Sequence, residues 1–237
     1  MLAAQEGIIP FNHEGETFET YYRVFGDLAN TQSPPLIGLH GGPGLCLEGV
    51  LPLADLADAG IPVILYDQLG NGRSTHLREK PMEFWNIDLF VSELENVIKH
   101  FGIQEGFSLA GHSWGGILAL ELEVRRQPLG LKKLVISDSL PSVGLWIQSN
   151  MQLAQHFPKE VQEGLMGGMG DLKAYRAALR EFHKVHGCIL NPPPYEVTYS
   201  LDQVFGENGD PTVAKAPCVS CVYLLCCASS PSTLVEF

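Results

Sequence analysis

Apolar and polar residues follow two rhythms along this chain. "GIIPF" and "ETYYRVFGD" mix apolar and polar positions over short lengths and are joined through "NHEGET", which predicts two strands around a polar turn. "PPLIGLH", "IPVILYD" and "FSLAG" are short apolar runs bounded by Pro or Gly, the pattern of buried strands. Helical spacing fills the gaps. "LPLADLADAG" closes at Gly60, and "WGGILALELEVRRQP" ends at Pro128. "NIDLFVSELENVIKHFGI" sets Leu89, Leu94, Val97, Ile98 and Phe101 near one face and stops at Gly102. "LKKLVISDS" is a further strand.

Strands alternating with helices from Pro35 to Ser139 predict an α/β fold with a mostly parallel sheet and helices on both faces. In such a sheet, chemistry collects at the carboxyl ends of the strands. "HGGPG", "DQLGNGRS", "GHSWGG" and "SDSLPS" each begin at such an end, so all four are expected on one rim. After Pro141 the chain turns helical with loose breaks, as a small lid over that rim would be. The expected division is a core over 1–140, a helical lid over 141–210 and an atypical cysteine-rich tail over 211–237.

Composition narrows the classes. A chain of 237 residues, 45% hydrophobic and 18% charged, suits one large domain with a lid. The formal net charge of −12 argues against nucleic acid or an anionic membrane surface as partner. No run reaches the roughly 18 apolar residues of a membrane span, and the start has no basic, apolar signal pattern, so the cytoplasm is the expected compartment. Cys218, Cys221, Cys226 and Cys227 crowd into the tail. "CVSCVYLLCC" lacks the second ligand pair at a workable distance that a zinc site needs. No metal and no cofactor is expected.

Gly111-His112-Ser113-Trp114-Gly115 matches the G-x-S-x-G nucleophile elbow, with a strand before it and a helix after it. The turn exposes the Ser113 hydroxyl and needs glycines where neighbours pack closely. The loop His40-Gly41-Gly42-Pro43-Gly44 follows an earlier strand. Chemistry at such a serine needs two N–H groups facing the developing oxyanion, and Gly42 and Trp114 are the natural donors. In "DQLGNGRS" the Walker lysine is absent, so a phosphate cradle is disfavoured and an Asp67–Arg73 ion pair is expected.

In this order and spacing, "HGGPG", "YDQLGNGRS" and "GHSWGG" resemble the proline iminopeptidase family of lidded α/β-hydrolases, from about "GIIPF" to "GENGDPTV". The resemblance implies an α/β-hydrolase fold, Ser113 as nucleophile, Gly42 and Trp114 as oxyanion donors, and a small peptide or amino-acid amide as substrate. Bacterial members usually read D-Q-R-G where this chain has Leu69, which places it nearer fungal-type relatives. The family also holds the substrate amine with lid carboxylates; Glu181, Glu196, Asp202 and Glu207 are all available here. An esterase or amidase of other specificity and a catalytically dead relative are the rival readings.

The base and its acid are missing from their family positions. After Asp210 there is no histidine, and the only acid is Glu236. Asp138 ends a strand on the rim, and His156, His183 and His186 lie in the lid, so an unorthodox triad would draw on these. The tail after Val213 differs in composition from everything before it. The expectation is that it is not family sequence, that the last strands and helices are absent, and that the chain as written has little activity.

Overall fold

The computed structural model describes residues 5–30, 32–140 and 142–216. Six strands, β1 (Gln5–His13), β2 (Glu16–Phe25), β3 (Leu36–Leu39), β4 (Val63–Tyr66), β5 (Phe107–His112) and β6 (Leu131–Ser137), form one sheet. Their order is β1-β2-β4-β3-β5-β6. β4, β3, β5 and β6 are mutually parallel; β1 and β2 form an antiparallel hairpin that joins the sheet through β4.

The short apolar runs are buried on both faces because each face has its own cover. Along β4, Val63 and Leu65 pack with Phe25, Leu47 and Val50, whereas Ile64 and Tyr66 pack with Leu94 and Leu118. That is the two-residue alternation of a strand. Helices α1 (Ile87–His100) and α2 (Trp114–Arg126) cover the second of these faces. α1 starts where the Asn86 side chain accepts the Leu89 N–H at 3.0 Å, an N-cap. α2 stops at Gln127, which adopts a left-handed conformation (φ 48°) just before Pro128. The other face is covered by residues Leu47–Ala59, and here the expected α-helix is corrected: the segment winds as 3-10 turns. Pro52 lies inside it and removes an N–H that an α-helix would need. Gly60 ends it in the left-handed conformation, as anticipated.

Four helices follow the sheet: α3 (Val143–Ala154), α4 (Lys159–Gly167), α5 (Leu172–His186) and α6 (Tyr195–Phe205). Leu165, Tyr175, Phe182 and Phe205 give them a small core of their own. α6 docks on the strand-end loops, where the Cys46 N–H donates to Ser200 Oγ at 3.2 Å. Residues 211–216, the beginning of the segment read as a tail, return to the body. Val213 joins the main core, and the Asp210 carboxylate before it binds His76, Arg78 and Thr212. The four tail cysteines, with the zinc reading of them, lie outside the described residues. Among the described residues β6 is a sheet edge, with Val135 54% and Ile136 39% exposed.

Candidate active site

The strand order positions the site. From β3 the chain moves to β4 on one side, while β5 lies on β3's other side, so a crevice opens where β3 and β5 end. The loop His40–Gly44 leaves β3 there and Ser113 leaves β5 beside it. Ser113 has φ 53° and ψ −117°, a conformation costly for a residue with a side chain. The neighbours enforce it. Ser113 N–H donates to Ser137 O at 2.9 Å, and Ser139 Oγ donates to Ser113 O at 2.9 Å. The flanking glycines permit close approach: a Cβ on Gly115 would overlap the Leu39 carbonyl, and one on Gly111 would overlap the Gly115 carbonyl. Trp114 N–H is the first donor of α2, one of the N-terminal groups that an α-helix leaves without an intrahelical partner.

Side chains stitch the rim loops together. His40 is fully buried, and burial pushes its pKa down to about 4, so the ring is neutral. Its Nε2 accepts the Gln68 N–H at 3.1 Å, which leaves the proton on Nδ1 to reach Gly41 O at 2.9 Å. The Gln68 amide donates to His40 O, and its oxygen accepts Trp114 Nε1–H at 2.8 Å. Three successive strand ends are thereby held at fixed separation. Sequence reasoning assigned neither His40 nor Gln68 this role.

The expected Asp67–Arg73 pair is present at 3.3 Å, and Arg73 also binds Glu48, which was not foreseen. Burial raises Asp67 to about 6 despite N–H groups from Leu47 and Arg73. Burial also pushes Glu48 upward, but hydrogen bonds from Arg73 and Cys46 outweigh it and leave its pKa lowered. Donor atoms of Cys46, Glu48 and Asp67 lie within 4.8 Å of one another. The Arg73 guanidinium already supplies the positive charge between the two carboxylates. A second buried acid, Glu93 of α1, accepts Thr20 Oγ1–H at 2.6 Å and the Leu69 N–H at 3.0 Å. Burial raises its pKa to about 7. Its clue in the sequence was a charge on the apolar stripe between Phe90 and Leu94.

Above Ser113 is a cavity of about 200 Å³, floored by Gly42, His112 and Ser113 and roofed by the lid. Of the lid histidines only His183 lines it; His186 packs on the rings of Phe157 and Phe182. None of Glu181, Glu196, Asp202 and Glu207 lines it. Asp202 is paired with Arg176, and Glu181 with Lys184. Asp138 stands on the rim with φ 47°, its carboxylate 3.8 Å from His112 Nε2. Among the described residues, no hydrogen bond reaches Ser113 Oγ.

A strained serine between a parallel strand and a helix, facing a glycine loop across a strand-order reversal, defines the class, and the comparisons agree. The family model for the alpha/beta hydrolase fold matches residues 34–163. The crystal structure of VinJ superposes with a TM-score of 0.79 at 38% identity, over 89% of this chain and 70% of VinJ. The proline iminopeptidase of Mycobacterium smegmatis superposes with a TM-score of 0.74 at 36% identity, over 89% of this chain and 70% of that one. The proline iminopeptidase of Lactobacillus delbrueckii subsp. bulgaricus is 36% identical over 197 residues, 81% of this chain and 64% of the relative. That of Clostridium botulinum is 34% identical over 185 residues, 76% of this chain and 60% of the relative. The chain belongs to the proline iminopeptidase family of α/β-hydrolases, and it spans less than two thirds of the length of these curated relatives.

Proposed function

We propose that this chain carries the nucleophile and oxyanion half of a serine aminopeptidase of proline iminopeptidase type. The observation behind this reading is Ser113: a strained backbone conformation held by Ser137 and Ser139, at a helix N-terminus, beneath a cavity lined mainly by apolar side chains. Ser113 Oγ attacks the carbonyl of an N-terminal prolyl or similar aminoacyl amide. The oxygen that becomes negative is met by the N–H groups of Gly42 and Trp114, strengthened by the positive end of the α2 dipole. Collapse of the tetrahedral species expels the amine and leaves an acyl-enzyme, which water opens.

The step that needs most help is removal of the serine proton. A base must take it and return it to the leaving amine. With no base bonded to Ser113 Oγ among the described residues, turnover by this chain is proposed to be low. A serine hydrolase stripped of its triad retains roughly 10³–10⁴-fold catalysis over water from its oxyanion hole and binding. A fluorophosphonate probe followed by peptide mass mapping tests the assignment. Slow labelling at Ser113, lost in Ser113→Ala, supports it. Labelling elsewhere, or undiminished labelling of Ser113→Ala, refutes it. A panel of prolyl and other aminoacyl anilides then measures the residual turnover.

A further inference from the structure

The chain that leaves α6 turns back over the strand-end loops. Val213, Ala214 and Ala216 are fully buried there. A Cβ on Gly70 would overlap the Val213 side chain, and one on Gly44 would crowd Val204 of α6 and Ala214. Gly44 belongs to the loop that carries Gly42, and α6 gives Leu201 and Phe205 to the cavity above Ser113. The seating of residues 210–216 therefore bears on both the oxyanion loop and the cavity wall. A charged bridge ties this seat down. Asp210 is buried; its Oδ1 accepts the N–H and the hydroxyl of Thr212, and its Oδ2 accepts from His76 Nδ1 at 2.6 Å and from Arg78 Nε at 3.1 Å. His76 lies in the loop after β4, and its Nε2 is 3.0 Å from Gly72 O. An ionised carboxylate and a carbonyl can only accept, so both ring nitrogens must carry a proton. The bridge is complete only for the imidazolium.

We propose that His76 is a proton-operated latch on the lid: its imidazolium holds residues 210–216 and α6 on the strand-end loops, and loss of its proton lets them lift. This goes beyond the aminopeptidase reading and does not depend on it. A neutral ring keeps one N–H and turns a lone pair toward the other oxygen, so one bond is lost and two acceptors are left facing each other. The hydrogen bond to Asp210 raises the His76 pKa above its ordinary 6.5, against the opposing effects of burial and the Arg78 charge. Burial pushes Asp210 upward, but bonds from His76, Thr212 and Arg78 outweigh it and hold its carboxyl below the usual carboxylate range. The stabilisation from His76 is thus fully present below pH 6.5 and is lost as pH rises through the raised pKa. On the acid side it is lost only as Asp210 takes up a proton, below that usual range. Neighbouring charges are turned elsewhere: Lys215 of the same segment and Glu19 of β2, which meets Thr75 through its backbone, are exposed, and Arg73 is paired with Glu48 and Asp67.

Amide hydrogen exchange of the full chain between pH 6 and pH 9, corrected for intrinsic rates, follows the latch. Protection of residues 210–216 and of α6 should fall about tenfold or more over that range relative to the amides of α1 and β5, which report any loosening of the whole fold by Glu93. The fall should track the titration of the His76 ring followed by NMR. His76→Gln has no proton to lose, so these amides should be poorly protected already at pH 6 and should not change further. Arg78→Gln removes the opposing charge and should move the midpoint to higher pH. Protection that does not change with pH in the parent, or that falls as much in His76→Gln, overturns the latch. Should His76→Gln fail to fold, a midpoint unmoved by Arg78→Gln overturns it instead.

Discussion

Glu93 is a buried acid whose cost can be worked out. Its carboxylate reaches from α1 to the Leu69 N–H and the Thr20 hydroxyl, with no cation bonded to it among the described residues. Burial raises its pKa from an ordinary 4.5 to about 7. The folded chain thus holds this proton more firmly than the unfolded chain. The associated stability is complete below pH 4.5 and is lost as pH rises to 7 and beyond. At about 1.4 kcal/mol per pKa unit, the loss between those limits is about 3 kcal/mol. Glu93→Gln is nearly isosteric and has no proton to lose. Its amide oxygen can still accept from Leu69 and Thr20, although one acceptor becomes a donor, at a cost of about 1 kcal/mol. The variant should therefore be about 1 kcal/mol less stable than the parent at pH 4 and about 2 kcal/mol more stable at pH 8. Asp67, whose charge contributes to raising Glu93, is coupled to it and shifts slightly with the substitution, whereas titrating groups far from Glu93 are common to both chains and cancel. Urea unfolding followed by the fluorescence of buried Trp85 and Trp114 gives both values. A difference between variant and parent that is the same at both pH values, within about 0.5 kcal/mol, would refute the argument.

Gly42→Ala would place a Cβ 2.7 Å from Gly44 N and 2.9 Å from Leu45 N, at a φ of 115°. The displaced loop should slow fluorophosphonate labelling of Ser113 by about 10²–10³, and an unchanged rate would remove Gly42 from the oxyanion site. Arg73→Leu leaves Glu48 and Asp67 buried without their cation and should lower unfolding free energy by about 3–5 kcal/mol; a loss under about 1 kcal/mol in urea would contradict the pairing. The exposed apolar edge at Val135 and Ile136 should make the chain self-associate, and Val135→Lys should reduce this. Light scattering after size exclusion decides it, and a parent that runs as a sharp monomer overturns the expectation.

The strands were legible because their apolar runs are short and punctuated by Pro and Gly, and the elbow because its glycines are forced by backbone contacts. Ser113, Gly42 and Trp114 could be grouped from sequence since each follows a strand end. The 3-10 winding of Leu47–Ala59 was not legible from leucine spacing alone, although Pro52 was there to signal it. Glu48 and Glu93 escaped notice because a carboxylate in a helical pattern normally faces water. Their burial depends on partners 25 and 73 positions away, Arg73 and Thr20 respectively. The separation of His183 from His156 and His186 is likewise tertiary: all three lie in helical or turn segments of similar polarity, and only the packing of α5 over the rim brings one of them to the wall of the cavity above Ser113.

β6 and the turn at Ser113 are joined by hydrogen bonds. β6 ends in Ser137, whose carbonyl holds the Ser113 N–H, and Ser139 just beyond it holds the Ser113 carbonyl. Among the described residues β6 is the sheet edge, and it is bonded directly to the backbone of Ser113. A partner that bends β6 from outside is expected to pull on the turn that holds Ser113. If Ser113 reacts as proposed, its rate of modification should change when a strand pairs along the outer edge of β6.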